Sequence, residues 1–144
     1  MATPYSVIHA RTIAKMSDYD ILQFDISTRE MILNEYLLSA QIEFQRLCSL
    51  DLSDKDDQLA QYNVDLSDEI IEILATGSAY YWLCPKVLNT ENLYNVLNTK
   101  DFSMYSPANL LKELQSLKEM FWKDFKRKMF EYTYRSADIA GLKV

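Results

Sequence analysis

Glycine and proline are almost missing from this chain: Gly77, Gly141, Pro4, Pro85 and Pro107 are the whole stock in 144 residues. An architecture of many strands needs such residues at its turns, so their scarcity favours long helices. Histidine is limited to His9, which argues against a histidine-based triad and against a multi-histidine metal site. Cys48 and Cys84 stand far apart with no paired spacing, so they read as buried thiols acting as small hydrophobes. The longest uncharged run, residues 73–85, falls short of the roughly 20 residues a membrane span needs. The N-terminus has no apolar secretory core, and Arg11 and Lys15 lie in too short a stretch for a transit peptide. A soluble intracellular protein without cofactor, metal or small-molecule substrate is the expectation.

What the chain does hold is unevenly distributed. Between Met16 and Glu72 there are 14 acids against 3 bases, whereas from Lys100 onward 9 bases face 6 acids. The acidic half argues against general nucleic-acid binding, and the split suits two complementary surfaces meeting between copies. The basic cluster Lys123, Lys126, Arg127 and Lys128 is interrupted by Asp124 and Glu131, which favours an exposed helix face or a protein contact.

The longest amphipathic pattern covers residues 106–134. Ser106 reads as its N-cap and Pro107 as its first helical residue, where a missing N–H costs nothing. Leu110, Leu111, Leu114, Leu117, Phe121, Trp122, Phe125, Met129 and Tyr132 then recur at three- and four-residue steps as one apolar face. The other helices are expected to pack on this one.

Upstream, residues 1–24 show no clean period and read as an extended arm or a frayed short helix. Ser27 and Glu30 form a capping box, with Ile26 placed as a staple near Met31, for a helix ending near Ser49. Asp51, Asp54, Asp56 and Asp57 invite a calcium-loop reading. It fails, because Asp56 stands where glycine is required and Tyr62 where a bidentate glutamate is required. A solvated acidic loop with a short helical turn over 59–62 is expected instead. Ser67 caps the next helix, Asp68 and Glu69 suit its positive end, and Pro85 is expected to end or kink it. Gly77 sits mid-helix at a cost of up to ~1 kcal/mol relative to alanine, which implies close approach of Trp122 and Phe125. A short helix over 91–97 stops at Asn98, and 135–144 reads as a tail. The fold expected is all-α: an arm (1–24), a small helical bundle without a sheet (25–134) and a tail (135–144).

No paired acids in an apolar context, activated nucleophile, phosphate loop or zinc spacing is present, so no catalytic residue is assigned and the chain reads as a non-enzyme. Glu35 and Glu72 are single helical acids expected to be exposed. Three stretches carry a resemblance. They are Leu66-Ser67-Asp68-Glu69-Ile70-Ile71-Glu72-Ile73-Leu74-Ala75, then Tyr80-Tyr81-Trp82-Leu83-Cys84-Pro85, then Leu97-Asn98-Thr99-Lys100-Asp101-Phe102-Ser103-Met104-Tyr105-Ser106-Pro107-Ala108-Asn109-Leu110-Leu111. Together they resemble helical head–tail connector (adaptor, or head-completion) proteins of tailed bacteriophages.

That resemblance implies a virion neck protein that assembles in the host cytoplasm as a ring beneath the portal. It implies docking to the next neck or tail protein, with genomic DNA only passing through the channel. In such proteins a terminal segment reaches into a neighbour, here 135–144 with Arg135, Leu142 and Val144. The subunit and portal contacts expected are the basic Lys123, Lys126, Arg127 and Lys128 against the acidic Asp54, Asp56 and Asp57. A head-to-tail contact of this kind needs two different patches on each copy. The rival expectation is a monomeric helical module that regulates or inhibits a host protein, with its acidic half mimicking nucleic acid.

Overall fold

The computed structural model describes the backbone of residues 2–16, 25–98 and 105–141, and the side chains of 2–16, 25–89 and 111–135. Among the described residues four helices carry the fold: α1 (Tyr5–Met16), α2 (Ile26–Gln45), α3 (Asp68–Asn98) and α4 (Tyr105–Gly141). Three two-residue strands join them: β1 (Thr3–Pro4), β2 (Lys55–Asp56) and β3 (Gln61–Tyr62). The all-α class and the long C-terminal helix stand as expected.

The hub, however, is α3, which packs extensively against α1, α2 and α4. Its buried residues run almost continuously from Ile70 to Ala79, all round the helix, and only a helix enclosed by others can bury its whole circumference. Ser67 caps it, its Oγ accepting from the Ile70 N–H at 3.3 Å. Thr76 and Ser78 tolerate burial because their hydroxyls donate to the carbonyls of Glu72 and Leu74 one turn back. Pro85 does not end α3, which continues to Asn98 and absorbs the short helix expected over 91–97. A proline inside a helix forfeits one hydrogen bond, and buried Leu83 and Val87 on either side offset the loss.

Several local expectations are corrected. Residues 1–24 are not simply an arm: β1 pairs antiparallel with β3, Thr3 opposite Tyr62, and α1 buries Tyr5, Ile8, His9 and Thr12. The Thr3 hydroxyl ties the entry down, donating to the Val64 carbonyl at 3.1 Å and accepting from the Leu66 N–H at 2.9 Å. The bundle therefore carries a small sheet, ordered β1–β3–β2, and 59–62 is hairpin rather than helix, with Ala60 at φ 52°. At α2 the cap is Asp25 instead of Ser27, its carboxylate accepting from the Thr28 N–H at 3.1 Å. A carboxylate suits the positive helix end, and it starts α2 at Ile26. The staple does not form: Ile26 and Met31 are 65% and 64% exposed.

α2 stops at Gln45, short of Ser49. The Gln45 amide then holds the following loop, donating to the Leu50 carbonyl at 2.9 Å and accepting from the Leu52 N–H at 2.6 Å. α4 begins at Tyr105, one residue before the expected cap, and runs to Gly141, so most of the expected tail is helix. The Ser106 side chain, Phe102, Leu142 and Val144 lie outside the described residues. One apolar core joins α1, the hairpin, α2, α3 and the second half of α4, with Phe44, Tyr62 and Phe125 fully buried. Tyr132 links α4 to the end of α2: its ring meets Phe44 edge-on at 5.2 Å and its hydroxyl accepts from the Ser49 N–H.

Candidate functional site

Each charged residue expected at a contact has a definite place. Lys128 is not free to meet a partner. Its ammonium lies 2.9 Å from the Glu72 carboxylate and 3.2 Å from the Thr76 hydroxyl, with Asp124 at 3.6 Å. Glu72 also receives Lys15 and Arg11 from α1, so one carboxylate of α3 gathers cations from two neighbouring helices. The expectation that Glu72 is simply exposed is thereby corrected. Burial by itself would raise its pKa, yet hydrogen bonds from Lys15 and Lys128, with their charges, hold the carboxyl down at about 2. This cluster holds α1 and α4 onto α3.

The acidic residues are likewise engaged in structure. Asp56 accepts from the N–H groups of Gln58 and Leu59, forming the hairpin turn. Asp57 accepts from the Tyr5 hydroxyl at 2.9 Å, and burial together with that carboxylate pushes the Tyr5 pKa up. Asp54 accepts from the Asn63 amide across the hairpin. Among the described residues, no group of His, Cys, Asp and Glu is arranged to hold a metal ion, and no helix is long and apolar enough to cross a membrane.

On α4, Lys123, Lys126 and Arg127 do reach solvent. Lys126 stands 5.7 Å from the Trp122 ring, and Arg127 pairs with Asp124 one turn earlier. Arg135 is drawn to Glu69 at 3.1 Å and to Glu131 at 3.9 Å. The feature that sequence reading missed is apolar. Met120, Phe130 and Tyr134 are exposed on α4, Phe130 by 50% and Tyr134 by 70%. Met120, Arg127 and Tyr134 lie seven residues apart in turn, as do Lys123 and Phe130, so all five share one outer stripe opposite the core face. The seven-residue spacing was the available signal, masked by the stronger inward stripe.

A second outer stripe lies on α2. Met31, Leu38 and Ile42 are exposed there, with the exposed carboxylate of Glu35 between them. Beside it, a cavity of about 240 Å³ opens between α2 and the hairpin, lined by Met31, Leu38, Glu35, Asp57 and Tyr62 among others. The protein thus presents two unlike apolar faces, one accompanied by cations and one by carboxylates. The chain matches no protein-family model, no curated protein and no solved structure.

Proposed function

We propose that this chain is a structural protein of a tailed-bacteriophage virion, a head–tail connector subunit that joins with copies of itself into a ring between the portal and the next neck or tail protein. The observation that carries the proposal is the pair of unlike exposed faces, on α2 and on α4, held by one small helical body. A face-to-different-face contact generates rings when its rotation closes. The sequence likeness supplies the viral setting: residues 68–75 of the first stretch and all of 80–85 fall on α3, the hub, while the third stretch begins at the end of α3 and finishes in the first turns of α4. The ion cluster at Glu72 is consistent with a structural role, since its charges are spent inside the subunit.

The test is direct. Mass spectrometry of purified virions should find the chain, and negative-stain images of the concentrated protein with its cognate portal should show rings. Absence from virions overturns the connector assignment. A chain that stays monomeric with and without portal is instead a binding module, the behaviour expected of a host-directed regulator or nucleic-acid mimic.

A further inference from the structure

We infer that copies of this chain join head to tail by laying the outer stripe of α4 from one copy against the outer stripe of α2 and the adjoining cavity in the next. The inference rests on the connector reading for its biological setting, and both draw on the two exposed faces.

The two stripes match in form. On α4, Met120, Lys123, Arg127, Phe130 and Tyr134 follow alternating three- and four-residue steps; on α2, Met31 and Leu38, like Glu35 and Ile42, stand seven apart. Helices with such spacing pack along their length with side chains of one seated between those of the other. The apolar members are already in water: all of Met31, Leu38, Ile42, Met120, Phe130 and Tyr134 are more than 40% exposed. Aromatic side chains entering a pocket dominate such contacts, and Phe130 has one available. The cavity beside α2 exceeds the ~150 Å³ of an apolar cavity known to admit benzene.

Charge chooses the partner. A contact of α4 with α4 would set Lys123 and Arg127 against their own copies, and a contact of α2 with α2 would oppose Glu35 to Glu35. Only the unlike pairing brings the Lys123 cation to Glu35, with Arg127 beside it already paired to Asp124 on its own helix. Lys55 lies in the same cavity and leans on Asp57, 3.9 Å away, so the two charges offset and Glu35 gives this face its net negative charge. Lys128 takes no part, because Glu72 and Asp124 hold it.

The experiment uses the full chain and two charge-reversed variants, A (Lys123→Glu with Arg127→Glu) and B (Glu35→Arg), followed by size-exclusion chromatography with light scattering. All three positions are exposed, and circular dichroism verifies that each variant keeps its helices. Wild type should elute as an assembly larger than the 16.9 kDa chain, and should dissociate as salt rises. A alone and B alone should each fall to the mass of one chain. An equimolar mixture of A and B should assemble again, since each supplies the face the other needs. Phe130→Ser should also leave single chains.

Wild type that is monomeric at every concentration overturns the inference, as does assembly lost in A but untouched in B, which would mean like faces meet. Assembly restored in the mixture, by a chain absent from virions, would uphold this contact while the connector assignment fails. A chain found in virions whose assembly ignores all these variants would do the reverse.

Discussion

Phe125 occupies the space that a side chain at Gly77 would need: a Cβ built on Gly77 would stand 2.7 Å from the Phe125 Cζ and 2.8 Å from the Ala40 Cβ. The glycine lets α2 and α4 both approach α3 at one level. Gly77→Leu should overpack this junction and cost about 1–3 kcal/mol, seen as a lower midpoint in urea unfolding. An unchanged midpoint would mean that the three helices do not meet there. Gly77→Ala sets a gain in helix propensity of up to ~1 kcal/mol against the same contacts, and the clash should win.

Glu72 should govern the acid limb of stability. Its carboxyl titrates near 2 in the folded protein, below the ordinary carboxylate value. The stability it contributes is therefore complete above about pH 4.5 and lost as pH falls toward 2. Because the side chain is part-exposed, Glu72→Gln should cost only about 1–2 kcal/mol at pH 7. It should also flatten the pH dependence between 4.5 and 2. A variant whose acid unfolding follows wild type would show that Lys15 and Lys128 gain nothing from Glu72.

His9 works in a higher window. It is buried between α1 and α2; its Nε2 lies 2.6 Å from the Asn34 Oδ1, so Nε2 donates, while Nδ1 is buried without a hydrogen-bond partner. Burial lowers its pKa, against smaller raising effects of Asn34 and Glu30. A lowered folded pKa means that full stability holds above about pH 6.5. As pH falls below that, the unfolded chain takes up a proton the native state resists, at a cost of up to about 1.4 kcal/mol per pH unit. Chemical denaturation between pH 7 and 5 should show this slope in wild type and lose it in His9→Leu. A slope retained in His9→Leu assigns it elsewhere.

Pro85 lies inside α3, where it supplies no N–H to the preceding turn. Pro85→Ala restores that donor and a better helix former, and should raise the melting temperature, with a gain of about 1–3 kcal/mol. A lower melting temperature would show that α3 must bend at Pro85 to seat Leu83 and Val87.

Local features were legible in the sequence. Three- and four-residue spacing marked α2, α3 and α4, Ser67 marked the start of α3, and Gly77 marked its crossing with Phe125. Lys123, Lys126 and Arg127 were legible as surface cations because charge on the far side of an apolar stripe has nowhere else to go. Tertiary structure alone decided the rest, because those features join residues distant along the chain. Two-residue strands are too short to show alternation, and only the Thr3–Tyr62 pairing turns residues 3–4 into β1. Glu72 meets Lys15 and Lys128 across 57 and 56 residues, so no window of sequence could show that Lys128 is spent internally. Phe130 and Tyr134 look like any aromatic residues of an amphipathic helix until the fold turns one stripe of α4 inward. How closely the helices meet, with Phe125 and Ala40 together filling the space a side chain at Gly77 would need, is a matter of shape and not of composition.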